Sequence, residues 1–272
     1  MGFPANTSTI QALTPTVCDL LRIDHPARCS VPALAGVLEA ARTALGGRPA
    51  SRALVFAPDA IGNHLREHLP ALFAPVLAMV PAEAPLRSVT PSKTPVCFAS
   101  MFTGAPPSVH GIREYAKPVI TTDTLFDAAV RGGKRVAIVA VADCSIDLIF
   151  RNRDLDYFSL KYDCWVTEKA LQLVREDRHD LIIAYHQEYD DVMHAAGPFA
   201  RRALRGAGNA FAAFTELSEA MDEAWAGRDR ALVFAPDHGA HLDPSTGGGS
   251  HGTEMHEDLE VWHFYSFRPA RR

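Results

Sequence analysis

Short apolar runs alternate with longer stretches of helical spacing along most of this 272-residue chain. Ala53 to Ala57 (ALVFA), Arg135 to Val141 (RVAIVAV), Asp180 to Tyr185 (DLIIAY), Ala231 to Ala235 (ALVFA) and Glu260 to Phe267 read as strands, with Leu86 to Val89 as a further short one. A continuous run such as RVAIVAV suits a strand buried on both faces of a parallel sheet. Between the strands, Val31 to Leu45, Asn63 to Val80, Asp123 to Arg131, Trp165 to Glu176 and Pro198 to Trp225 read as helices. The second is expected to break at Pro70 or Pro75, and the last is either one long helix or two short ones. Thr94 reads as a helix N-cap with Pro95 at the first helical position, and that helix runs to Phe102 before Gly104 stops it. Residues 1–31 lack this regularity and read as an arm, a lid or a surface extension. The alternation predicts an α/β fold: a mostly parallel central sheet with helices on both faces, in a single domain over residues 1–272.

Parallel-sheet proteins gather their chemistry at the carboxyl ends of strands. Polar residues collect there in this chain: Asp59 after the first ALVFA, Thr94 after the strand near Val89, His186 to His194 after LIIAY, and Asp237-His238 after the second ALVFA. Asp190 and His194 are four residues apart, so in a helix they share a face and can grip one ion. Taken alone they could equally form a solvated turn with a capping Asp. Asp237-His238-Gly239 puts two ligand-capable side chains side by side, where the plain reading is a capping Asp beside a surface His. His251 sits in Gly247 to Gly252, either a flexible loop or one folded tightly around a site. Thr94 is a poor nucleophile unless a metal or base ionises it. A helix N-terminus, however, favours both an alkoxide and a phosphoryl group, whereas a structural N-cap needs neither.

Composition narrows the partners. The formal charge is -5 and the basic residues are scattered, so a nucleic-acid duplex is not expected. A small phosphate-containing substrate remains compatible, because bound metals would reverse the local field. MGFPANTSTIQ has no basic stretch followed by an apolar run, so no signal peptide is expected. No run is long enough to span a bilayer, and Leu69 to Val80, interrupted by prolines, reads as a packed helix, so no membrane partner is expected. Cys18, Cys29, Cys97, Cys144 and Cys164 are odd in number without C-x-x-C spacing, pointing to reduced thiols and a cytoplasmic location. A homo-oligomer is left open.

Taken in order, these blocks resemble the alkaline phosphatase superfamily, closest to its nucleotide pyrophosphatase/phosphodiesterase and phosphonoacetate hydrolase branches. The resemblance rests on Ala57-Pro58-Asp59-Ala60-Ile61-Gly62, on KTPVCFASMFTGAPPSVHGI from Lys93 to Ile112, on Asp190 to Pro198, on Asp237-His238-Gly239 and on His251-Gly252. It implies an alkaline-phosphatase-like fold, compact and without a large cap domain. It further implies two divalent metal ions, with Zn2+ suiting the ligands and Mn2+ tolerated. By the same resemblance Asp190, His194 and His251 hold one ion. Asp59, Asp237 and His238 hold the other, with Thr94 bound to it as nucleophile. A covalent phosphothreonine would form and water would then cleave it.

The chain also departs from the pattern. The phosphodiesterase branch usually has Asn three residues after the nucleophile, donating to a phosphoryl oxygen; here Cys97, a weak donor, stands there. Ala60 and Met193 occupy positions where most relatives have Gly. Arg113 to Thr122 and Asp143 to Tyr162 are the expected pocket walls. They offer Arg113, Lys117, Arg151, Arg153 and Lys161 as binders of a phosphate or carboxylate or, more plainly, as solvated surface charges, with Tyr115, Tyr157, Tyr162 and Tyr189 as stacking surfaces or ordinary packing. His241, His256 and His263 are weaker ligand candidates because they match no family position. A phosphodiesterase or nucleotide pyrophosphatase is the favoured activity. Phosphomonoester hydrolysis, phosphonate hydrolysis, a phosphomutase and a non-catalytic metal-stabilised scaffold are the alternatives.

Overall fold

The apolar runs form the middle of one sheet, which fixes where everything else must pack. A computed structural model describes residues 3–4 and 6–271. In chain order the elements are α1 (Leu13–Leu21), α2 (Ala35–Leu45), β1 (Arg52–Pro58), α3 (Asn63–His68), α4 (Ala74–Leu77), β2 (Ala82–Arg87), α5 (Thr94–Thr103) and α6 (Pro107–His110). They continue with α7 (Leu125–Arg131), β3 (Val136–Val141), α8 (Ser145–Ile149), β4 (Asp156–Leu160), α9 (Asp163–Glu176), β5 (Leu181–His186), α10 (Glu188–Ala196) and α11 (Arg201–Ala224). The chain closes with β6 (Arg230–Phe234), β7 (His241–Leu242), β8 (Gly249–Ser250), α12 (His256–Leu259) and β9 (Glu260–Arg268).

The seven-stranded sheet has the order β2-β9-β6-β1-β5-β3-β4, and β7 pairs with β8 in a separate two-stranded ribbon. Strands β6, β1, β5, β3 and β4 run parallel, whereas β9 is antiparallel to both β6 and β2. Every residue of β3 and β5 is buried, as their unbroken apolar sequences require. Edge strand β2 instead alternates buried and exposed positions. Successive side chains leave a strand on opposite faces. In β5, His186 turns toward Phe56, which packs on Phe214 of α11, while Tyr185 turns toward Phe98 of α5. The fold is a mostly parallel α/β sheet between helical layers, as the alternation predicts.

Several expectations shift. The N-terminal segment is not an arm or lid: Ile10, Leu13, Val17, Cys18 and Leu21 belong to the core, while residues 1, 2 and 5 lie outside the described residues. Two threonines make α1 buriable by donating to backbone carbonyls, Thr14 to Met101 and Thr16 to Ala12, each at 2.6 Å. The helical stretch after Asn63 breaks at Pro70 into short pieces. The strand expected at Leu86 to Val89 starts earlier, at Ala82, and the helix expected from Val31 starts only at Ala35. Asp143 to Tyr162 folds into α8 and β4, with Asp147 bonded to Arg151 and Ser159.

Candidate metal centre

The candidate side chains reach the same edge of the sheet from several different elements. Asp59 follows β1 directly, Asp190 and His194 lie one turn apart on α10, Asp237 and His238 follow β6, and His251 follows β8. The loops after β1 and β6 approach closely where Gly62 meets Gly239. A Cβ at Gly62 would sit 3.0 Å from Gly239 N and 3.1 Å from the Glu260 carbonyl.

Thr94 is the first helical residue of α5 rather than its N-cap; Lys93 takes the cap position in extended conformation, and no side chain caps the helix. The Thr94 hydroxyl is therefore not spent on capping. Its Oγ1 lies 3.5 Å from Asp59 Oδ1 and 3.4 Å from His238 Nε2.

Asp190, His194 and His251 present ligand atoms within 4.8 Å of one another, and so do Asp59, Asp190 and His238. Asp190 thus belongs to both groups, where the resemblance gave Asp237 to the second. Asp237 Oδ2 is 3.4 Å from His238 Nε2, at the same centre. All seven side chains named from the sequence are brought together.

The hydrogen bonds around the imidazoles decide what this centre can accept. His238 Nδ1 faces the Gly239 carbonyl at 2.9 Å, His251 Nδ1 the Ser92 carbonyl at 2.7 Å, and His194 Nδ1 the Gly249 carbonyl at 3.1 Å. A carbonyl only accepts, so each Nδ1 carries the proton, and in the neutral rings each Nε2 is a lone pair. Those three Nε2 atoms converge: His194 Nε2 is 3.1 Å from His251 Nε2, and the His238 and His251 rings stack with centroids 4.0 Å apart. Two carboxylate oxygens facing them, Asp190 Oδ1 and Asp237 Oδ2, are buried without a hydrogen-bond partner. Lone pairs and orphaned carboxylate oxygens gathered in two adjoining groups are a donor set for divalent cations, and the residues fit such ions.

Burial sharpens the electrostatic demand. It drives the Asp59 carboxyl well above its usual range, with the charges of Asp237 and Asp190 adding to the effect. It also raises Asp237 to about 8, against the Ala60 N–H that lowers it. Asp190 is buried as well, yet it stays low because His194, His251 and His238 outweigh its desolvation. Burial and the nearby His251 hold His238 well below the usual imidazole value, and burial lowers His251, whereas the Asp190 carboxylate raises His194.

Some participants escaped the sequence reading. Tyr185 donates its hydroxyl to Asp59 Oδ2 at 2.5 Å, and Ser88 donates to the Asp237 carbonyl at 2.7 Å. The Ala60 N–H points at Asp237 Oδ1, 3.3 Å away, from a left-handed φ of 61°. That conformation explains why glycine is the usual residue there. Cys97 is buried, its Sγ 3.1 Å from Ser88 Oγ, and burial pushes its thiol far above the normal range.

Other candidates fall away from the centre. Arg153 is spent on Asp127 and on the carbonyls of Ile120 and Thr122, and Arg151 on Asp147 and Ser159. Lys117 bonds the Asp143 carbonyl, and Arg113 approaches the Ser108 carbonyl. Tyr157 donates to the Phe150 carbonyl, and Tyr189 is buried against His64. His241 pairs with Asp258, His256 with Glu257, and His263 with the Pro236 carbonyl. Tyr115 and Tyr162 are exposed. A cavity of about 420 Å³ lies beside α10, lined by residues including Lys161, Tyr162, Asp163, Glu188 and Asp191; none of the seven centre residues lines it.

A family model described as type I phosphodiesterase / nucleotide pyrophosphatase matches residues 56–129. No curated protein sequence matches significantly. Among solved structures, phosphonoacetate hydrolase from Sinorhizobium meliloti, bound to phosphonoformate, aligns at 19% identity and TM-score 0.52, over 72% of this chain and 59% of that one. Murine ectonucleotide pyrophosphatase/phosphodiesterase 5, an inactive variant bound to AMP, aligns at 16% identity and TM-score 0.57, over 71% of this chain and 58% of that one. At such identities the likeness is one of fold, and the chain spans less than two thirds of either protein. The family model thus covers one part of the chain, and the solved structures share its alkaline-phosphatase-like fold. Among the described residues, no helix is long and apolar enough to cross a membrane.

Proposed function

We propose that this chain is a two-metal phosphoric ester hydrolase that uses Thr94 as its nucleophile and prefers a phosphodiester or nucleotide-type substrate. The observation that carries the reading is the convergence of three Nε2 lone pairs and two orphaned carboxylate oxygens beside a threonine hydroxyl at a helix N-terminus. Asp190, His194 and His251 would hold one divalent ion; Asp59, Asp237 and His238, with Thr94, would hold the other. Zinc suits these ligands and manganese is tolerated. Bound there, the pair would favour the ionised Thr94 hydroxyl, screen the phosphoryl oxygens and stabilise the departing one.

The chain's own groups do the rest. Asp59 Oδ1, 3.5 Å from Thr94 Oγ1, holds the hydroxyl in place, and the Thr94 proton passes to solvent. Thr94 Oγ1 attacks phosphorus, the ester P–O bond breaks, and the alcohol or nucleotide leaves after taking a proton from water. Water then breaks the bond between Oγ1 and phosphorus, giving phosphate or its monoester and restoring threonine. The N-terminal end of α5, with its partial positive charge, faces the phosphoryl group through both steps.

Hydrolysis of a phosphonate carbon–phosphorus bond is the second reading, favoured by the fold shared with phosphonoacetate hydrolase. Nitrophenyl phosphate monoesters, diesters and a phosphonate, each assayed with zinc and with manganese, separate these activities. The expected order puts diesters first, and a protein inert to all of them under both metals would refute the reading.

A further inference from the structure

We infer that Tyr185 is a positioning residue that dictates which oxygen of Asp59 is offered to a metal ion. The inference rests on the two-metal reading and adds a residue to it. Asp59 Oδ2 accepts the Tyr185 hydroxyl at 2.5 Å, while Oδ1 faces inward, 3.3 Å from His238 Nε2 and 3.5 Å from Thr94 Oγ1. Asp237 shows the same division of labour. Its Oδ1 takes the Ala60 N–H at 3.3 Å, and its Oδ2 is buried without a partner at the centre.

Both carboxylates are therefore committed to a single inward oxygen, one by a side chain and one by the backbone. A carboxylate with both oxygens free can swing or chelate through both, and a group bonded to the outer oxygen prevents this. Tyr185 is well placed to do so. It is 2% exposed, and its ring stands edge-on to Phe98 at 5.4 Å, so the hydroxyl cannot follow a moving Asp59. The role is separate from catalysis, because the hydroxyl touches Asp59 on the side away from Thr94.

The test is zinc affinity of the metal-free protein, read by competition with a chromophoric chelator. In Tyr185→Phe one of the two binding steps should weaken by about 10- to 100-fold and the other should hold. Saturating zinc should restore most of kcat. In an Asp59→Asn background, adding Tyr185→Phe should change zinc affinity no further, whereas a merely structural tyrosine would weaken it again. Equal affinities in wild type and Tyr185→Phe would overturn the inference. A wild type that fails to bind two ions would instead sink the metal reading itself. Should the phenylalanine variant not fold, zinc binding to the wild type should still shift a tyrosine band in the near-ultraviolet, and a band that does not move would overturn the role.

Discussion

Crowding three carboxylates into one dry centre should make the metal-free protein sensitive to alkali. Asp237 is fully buried and raised from 3.8 to about 8, first by burial. The folded state therefore holds a proton that the unfolded chain has already lost between those values. A raised carboxyl pKa contributes stability that is complete below 3.8 and disappears as pH rises through about 8. Integrating one such group from about pH 6.5 to about pH 8 gives a loss of about 1.6 kcal/mol. Asp59, also raised, adds to the loss in the same direction. Buried His64, His110, His186 and His263 are lowered, mainly by burial, and act in the opposite sense: their stability is lost as pH falls below 6.5. Subtracting an Asp237→Asn variant cancels them. The assay is urea unfolding of both proteins in chelator at the two pH values. The advantage of wild type over the variant should shrink by about 1.6 kcal/mol, or about 0.5 M in midpoint at a slope near 3 kcal/mol/M. A gap that stays constant or widens toward alkaline pH would refute the picture of carboxyls kept protonated by burial and by their neighbours' charges. With zinc present the trend should reverse, because metal binding releases those protons.

Other consequences are checked more simply. Thr94→Ala should keep its metals and lose turnover by about a thousandfold or more, measured on the best ester of the panel; full activity would remove Thr94 from the chemistry. Gly62→Ala forces a methyl against Gly239 and should cost about 1 to 3 kcal/mol in thermal unfolding while lowering metal content. Arg153→Ala removes a donor from the carbonyls of Ile120, Thr122 and Arg151 and leaves Asp127 to Thr124 alone, so it should destabilise by about 1 to 3 kcal/mol, yet leave kcat/KM of the folded enzyme unchanged. A fall in kcat/KM alone would return Arg153 to the substrate pocket.

The candidate centre is legible from sequence because each proposed ligand stands just beyond an apolar run or in a glycine-rich turn. Polarity there interrupts a pattern, as at Asp59 after ALVFA and Asp237 after its second copy. Tyr185 gave no such signal. It closes the run DLIIAY, where an aromatic reads as core, and only the sheet's two helical layers reveal that its hydroxyl emerges beside Asp59. Thr94 was located but miscast as an N-cap, since Thr-Pro suits the cap and the first turn alike, and only backbone angles separate them. The N-terminal helix was hidden because Thr14 and Thr16 read as polar, although carbonyls of Met101 and Ala12 satisfy their hydroxyls inside the core. Arg151 and Arg153 read as substrate binders or solvated charges alike, because sequence spacing does not reveal that Asp147 and Asp127 stand beside them. Long-range pairing, not local pattern, decides those residues.

The central claim is that Asp59, Asp190, His194, Asp237, His238 and His251 hold two metal ions beside Thr94. Metal content per chain, measured after stripping and reconstitution with zinc and removal of the excess, tests it most directly. The account predicts two ions in the wild type and one in His251→Ala. A wild type that retains one ion or none would contradict it.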